Sequence, residues 1–161
     1  MSPLLVNIAV VLFFILLGGI FAAAEMALVS LRESQVSQLA QQGSRGRAVA
    51  RLHGQPNLFL SALQIGVTCS GFLSAAFGAS TISDQFSPVL QDWGLPEGAA
   101  NAVALLTITL VIAYLSLVLG ELAPKRLALQ RAEGIAMFSG PAIELLAKVS
   151  KPGDLAAICV Y

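Results

Sequence analysis

Two acids stand inside stretches otherwise built for lipid. Glu121 lies in LVLGELAPKR, Leu117 to Arg126, flanked by Gly120 and Pro124, and Glu25 lies in GGIFAAAEMALVSLR, Gly18 to Arg32. Pro124 has no amide proton and disrupts the helical bond to the carbonyl of Gly120. A helix loosened there bares carbonyl oxygens, which is tolerated at membrane depth only where backbone is buried in protein or lines a wet cavity. Freed carbonyls beside a carboxylate make a hard-oxygen environment suited to a cation. An acid near a helix centre costs about 2.5–3.5 kcal/mol on insertion scales, and less near an end. Glu25 therefore keeps two readings, a structural bond to a neighbouring helix end or juxtamembrane arginine, and a part in transport. Glu121 marks a functional region.

Small and polar residues at helical spacing accompany these acids. Ser61, Gln64, Thr68, Gly71, Ala75 and Gly78 are 3, 4, 3, 4 and 3 positions apart and form one helix face. Thr109, Ala113, Ser116 and Gly120 follow at 4, 3 and 4, and Gly18, Ala22 and Glu25 at 4 and 3. In lipid, small residues let backbones approach and polar ones hydrogen-bond across the contact. Each stripe reads as plain helix packing, or as one wall of a shared interior. On its stripe Glu25 turns into the bundle.

The elements that must position these residues follow from composition. The chain has 161 residues, 57% hydrophobic and only 11% charged, with a mean hydropathy of +0.81. Soluble domains carry about 25% charged residues. Three stretches, about 3–31, 57–82 and 99–122, meet the roughly 20 apolar residues needed to cross a bilayer. The fold class is all-α integral membrane, with three transmembrane helices and juxtamembrane amphipathic helices. The first stretch lacks a basic leader and exceeds a signal sequence's apolar run of about 7–15 residues, so it reads as a retained span.

Net charge is zero, yet all nine Lys and Arg fall in two segments: Arg32, Arg45, Arg47 and Arg51, then Lys125, Arg126, Arg131, Lys148 and Lys151. The stretch Ser83 to Gly98 carries only Asp84, Asp92 and Glu97. Positive charge marks the cytoplasmic side. The N-terminus is therefore expected outside, 32–55 inside, an acidic loop over 83–98 outside, and the C-terminal segment inside. Trp93 in that loop suits a headgroup-level anchor.

Val36, Leu39 and Ala40, then Ala48, Val49 and Leu52, repeat at helical spacing on either side of GSRG. They predict two short amphipathic helices on the cytoplasmic face over about 33–53. Their arginines read equally as topology anchors on anionic lipid. Ile135, Phe138, Ala142, Leu145, Leu146 and Val149 predict a further interfacial or cytoplasmic helix within about 125–150, because Glu144, Lys148 and Pro141 argue against a fourth crossing. Cys69 and Cys159 make neither a metal spacing nor a disulfide framework, and Cys69 reads as a small packing residue. His53 stands alone, and no P-loop, nucleophile elbow or HExxH motif occurs. These features point away from an enzyme, and the basic residues flank spans rather than form a nucleic-acid surface.

FAAAEMALVSLR, FLSALQIGVTCSG and GELAPKRLAL, in this order and spacing, resemble the transmembrane domain of the CorC/cyclin M (CNNM) family, whose bacterial members are often called hemolysin-like. The resemblance covers about residues 4–150, and GELAPKRLAL is its most specific block. It implies three spans with a juxtamembrane belt, a homodimer in the plasma (inner) membrane, and export of divalent cations, chiefly Mg²⁺ or Co²⁺, with Na⁺ coupling. It further implies cytoplasmic CBS domains that bind ATP and a small C-terminal domain. Residues 151–161, KPGDLAAICVY, do not resemble the family's continuation, so the chain is expected to be a membrane-domain piece without CBS domains.

Gly120, Glu121, Pro124 and Lys125 match the family pattern. Where relatives commonly read S-x-S-E, this chain has Ala22, Ala23, Ala24 and Glu25. Where they read I-G-N-N-L-V-N, it has Ile65, Gly66, Val67, Thr68, Cys69, Ser70 and Gly71, without the asparagines. The resemblance thus implies a reduced cation site of Glu25, Thr68, Ser70, Gly120 and Glu121, with Gln64, Gly71, Ser116 and Pro124 lining its cavity. Mg²⁺ demands near-octahedral oxygen ligation and gives up water reluctantly. A site so reduced would retain the ion's waters, prefer another ion, or carry an organic cation. The alternative is a non-transporting scaffold or regulatory anchor, with dry, fully packed stripes.

Overall fold

The computed structural model describes residues 2–149; the expected tail at 151–161, with Lys151 and Cys159, and the last residue of the belt at 150 lie outside the described residues. Helix α1, Pro3–Ser30, starts on a proline that needs no amide partner and ends where Leu31 turns extended. Helices α2, Glu33–Ala40, and α3, Ser44–His53, follow as the two short amphipathic helices expected from the sequence. Gly43 joins them at φ 102°, a backbone conformation that glycine adopts without steric cost.

The second span is longer than its sequence pattern predicts. Helix α4 runs Pro56–Asp92, so most of the acidic stretch expected as an outer loop is helical, and only residues 93–96 connect it to α5, Glu97–Leu117. The reason lies in packing rather than hydropathy. Ser83, Ser87 and Leu90 recur on one side of the extension and are buried, while Asp84, Pro88 and Asp92 point outward. Leu90 packs with Ala100 and Ala104 of α5. Ser87 hydrogen-bonds Asn101, and Gln91 Nε2 donates to Ser87 Oγ at 3.4 Å. Trp93 sits at the α4 terminus, largely exposed.

The third span also overruns its expected end at 122. A π-helical turn at Val118–Leu122 passes directly into α6, Ala123–Gln130, so the helical path is continuous from Glu97 to Gln130. The Ala123 amide donates to the Val118 carbonyl five residues back. This wider turn accommodates a proline that offers Gly120 no amide.

Helix α1 packs along α4, and α4 along α5, while α1 and α5 meet mainly through the π turn. Val11, Ile15 and Ile112 form the core where the three spans converge. A larger core at the end of the bundle where α1 finishes and α4 starts joins Leu28, Leu31, Val36, Leu39, Val49, Leu52, Phe59 and Leu63 to Ile143 and Ala147 of α7, Ala132–Val149. The juxtamembrane helices are thereby welded to the spans.

Helix α7 inverts the pattern of a soluble amphipathic helix. Its buried side is mostly small, with Ala136, Ser139, Gly140 and Ala147 around a single large residue, Ile143, whereas Phe138, Leu145 and Val149 are exposed. Large apolar groups facing outward and small ones facing neighbours is the arrangement expected in contact with lipid. Cys69 departs from its expected packing role and is exposed, because adjacent Ser70 takes the buried place against α1.

Candidate functional site

The stripes of α4 and α5 face each other across a cavity of about 380 Å³. Gln64, Thr68, Gly71 and Ala75 line one side, Thr109, Ala113 and Ser116 the other, and Glu121, within the π turn, completes the lining. Val67, Phe72 and Ile112 supply apolar wall. The same Glu121, with Val67, Gly71 and Ser116, also borders a smaller cavity of about 40 Å³ that reaches Ile15 and Gly18 of α1 and touches Gly120. Glu121 is therefore the carboxylate on which all three spans converge.

Glycine contacts hold the π turn against α1. A β-carbon at Gly120 would stand 3.3 Å from the Ile15 carbonyl oxygen. One at Gly19 would meet the Pro124 ring and the Leu119 carbonyl. Helical backbones approach this closely only without side chains between them. Gly78 is similarly closed off by Ile112, which leaves the Gly78 end of the stripe packed and its middle open.

The expected site residues are not all brought together. Gln64, Thr68, Gly71, Ser116 and Glu121 share the groove, and Gly120 borders its smaller neighbour. Ser70 instead faces Gly18, whose β-carbon position lies 3.3 Å from Ser70 Cβ. Pro124 packs on Gly19 and lines neither cavity. Glu25, half-buried, occupies a separate cleft of about 130 Å³ with Met26, Val29 and Lys125. The cation that shares this cleft with Glu25 is Lys125. Among the described residues no group of three or more His, Cys, Asp or Glu could hold a metal.

The chain matches the cyclin M transmembrane N-terminal domain over residues 9–156. It belongs to the CNNM family. It is 42% identical over 146 residues to the UPF0053 protein sll0260 of Synechocystis sp., covering 88% of this chain and 33% of that protein. It is 32% identical over 141 residues to the UPF0053 protein YhdP of Bacillus subtilis, covering 86% of this chain and 32% of that one. A Mycobacterium tuberculosis relative, UPF0053 protein MT1890, is 31% identical over 114 residues, 70% of this chain and 25% of its own length. The chain spans about a third of the length of the curated relatives it matches first. As a CNNM domain with three helices long and apolar enough to cross a membrane, it is a multi-pass membrane protein.

Some residues that line the groove carried no signal in the sequence. Phe72 and Ile112 look like any lipid-facing residues of a span, whereas Val67 was visible only as a departure from the family's asparagine. Gly19 was legible only as half of a Gly-Gly pair. On the juxtamembrane belt, Arg51 forks onto Glu144, Nε to Oε1 at 2.8 Å and Nη2 to Oε2 at 2.9 Å, while Lys148 reaches Oε1 at 3.4 Å. The Arg51 hydrogen bond holds the Glu144 carboxyl below its ordinary value, against a smaller opposing effect of burial. This ion pair ties α3 to α7 and takes no part in the groove.

Proposed function

We propose that this CNNM domain is the membrane part of a secondary transporter that exports divalent cations, Mg²⁺ or Co²⁺, with Glu121 as the cation-binding carboxylate. One observation carries the reading: Glu121 borders both the groove and a π turn whose Gly120 carbonyl lacks an amide from Pro124. π turns inside helices occur often at functional sites. The chemistry is passage rather than catalysis, because the groove offers a carboxylate and neutral oxygens but no nucleophile with an adjacent base.

An orientation with the N-terminus outside and the C-terminus cytoplasmic is supported by the clustering of Lys and Arg, and residence in the plasma membrane by the family resemblance. A homodimer belongs to the same reading and is carried by the family resemblance. Na⁺ coupling, and ATP control through CBS domains elsewhere in a longer protein, are carried by the family resemblance. The scaffold alternative expects dry, closed stripes, and the open groove counts against it.

Flux measured in proteoliposomes tests the proposal. Mg²⁺ or Co²⁺ should leave the lumen with wild type, Glu121→Ala should abolish the flux, and Glu133→Ala on the exposed belt should not. If wild type moves neither ion, or Glu121→Ala moves them at the wild-type rate, the proposal fails.

A further inference from the structure

A cleft opens on the juxtamembrane belt where α3, the start of α4 and α7 meet. Its charged lining is Arg51, Lys148 and Glu144, two cations about one carboxylate. Arg51 takes both oxygens of Glu144, and Lys148 Nζ approaches one of them at 3.4 Å. The Glu144 side chain is only 17% exposed, whereas those of Arg51 and Lys148 are 60% and 65% exposed. The negative charge is therefore turned inward, and one positive charge in excess faces outward. Among the described residues that line the cleft, Glu144 is the sole acid. Hydrogen-bond donors are in excess as well. A guanidinium carries five N–H groups and an ammonium three, and the fork occupies two of those on Arg51.

An outward apolar face adjoins these cations. On α7, Lys148 stands three residues beyond Leu145 and four beyond Glu144, so it is the surface neighbour of both. Glu144 and Ala147 line the cleft, while Phe138, Leu145 and Val149 are exposed on the neighbouring side of the helix. The second span begins at Pro56, between the lining residues Gln55 and Leu58. Cations at the mouth of a span, beside large apolar groups turned outward, match a phospholipid at both of its ends. The long cationic side chains reach headgroup level while their stems stay on apolar surface. A soluble phosphate would leave the apolar face unused.

We propose that this cleft binds the headgroup of an anionic phospholipid. Arg51 and Lys148 donate to its phosphate, Glu144 holds Arg51 in place from within, and the acyl chains lie along Phe138, Leu145 and Val149. Arginine and lysine both serve as phosphate ligands, the first through a fork and the second as a point charge. Basic pockets at the membrane surface recognise anionic headgroups in this way. A lipid held here links α3 to α7 beside the start of the second span and so clamps the belt to the bundle. The site is separate from Glu121 and does not depend on cation export.

Phosphatidylglycerol, phosphatidylcholine and inorganic phosphate are the probes, each added to the purified protein in uncharged detergent. Phosphatidylglycerol should raise the melting temperature, and the other two at equal concentration should not. Lys148→Gln leaves the Arg51–Glu144 fork intact and should raise the half-effective concentration of phosphatidylglycerol about fivefold, the effect of one basic residue near an anionic surface. The double variant Arg51→Gln, Glu144→Gln strands no charge and should lose the response. Arg47→Gln, exposed on α3 outside the cleft, should respond as wild type. No stabilisation by phosphatidylglycerol, or equal stabilisation by phosphatidylcholine, overturns the proposal. Equal stabilisation by inorganic phosphate also overturns it, since the ligand is then a soluble phosphate. A loss in Arg47→Gln as large as in Lys148→Gln means diffuse attraction of charge rather than a site, and overturns it too. Should the double variant fail to fold, Lys148→Gln decides: an unchanged half-effective concentration sinks the assignment.

Discussion

Gly19 lies so close to Pro124 that a β-carbon on the glycine would stand 3.0 Å from the proline Cγ and 3.1 Å from the Leu119 carbonyl oxygen. A ring and a backbone carbonyl are both poor at giving way. The contact seats the π turn on α1 and so fixes where Glu121 meets the groove. Gly19→Leu is expected to destabilise the domain by about 1–3 kcal/mol through overpacking. Gly134→Ala, at an open helical position, should be neutral or stabilising by up to about 1 kcal/mol. Thermal melts of both variants in detergent provide the comparison, and equal melting temperatures would contradict the assigned contact.

Pro124→Ala restores an amide opposite the Gly120 carbonyl. The π turn should relax toward an ordinary α-helical turn, because its proline no longer excludes the i to i−4 bond. The expected result is a melting temperature equal to or above wild type, together with a weakened melting response to Mg²⁺. A response of wild-type strength would separate the π turn from the cation site.

Glu25 and Glu121 should behave differently despite their similar places in the sequence. Glu25→Gln alters a cleft shared with Lys125 and should leave Mg²⁺ stabilisation in place, whereas Glu121→Gln should abolish it. Equal losses in the two variants would mean that both acids serve one site.

The belt has its own sensitive point at Gly46, where a β-carbon would collide with the Leu39 carbonyl and the α2 backbone cannot recede. Gly46→Ala should therefore lower the melting temperature even though alanine is the better helix former by about 1 kcal/mol. An unchanged or raised melting temperature would refute the close α2–α3 crossing.

The Arg51–Glu144 fork predicts a pH dependence of definite sign. Because Arg51 lowers the folded pKa of Glu144, the contribution is complete above the usual carboxylate value of about 4.3 and is lost as pH falls through the lowered folded value. The melting-temperature difference between wild type and Glu144→Gln should accordingly shrink from pH 7 toward pH 3. It should also shrink at high salt, since Arg51 is exposed. A difference that grows on acidification would carry the wrong sign for this pair.

Sequence by itself determined the spans, the belt and the family. Apolar length marks a membrane crossing without tertiary information, because the bilayer imposes it on each helix separately. The stripes on α4 and α5 were legible for a similar reason, since helical periodicity fixes which residues share a face. What periodicity cannot fix is what that face meets. Only the tertiary structure decided that Thr68 and Ser116 look into one groove with Glu121, while Ser70 turns to α1 and Glu25 to Lys125. It also carried α4 on to Asp92, because Ser87 and Leu90 gain their packing from α5 rather than from lipid, and hydropathy does not register that contact.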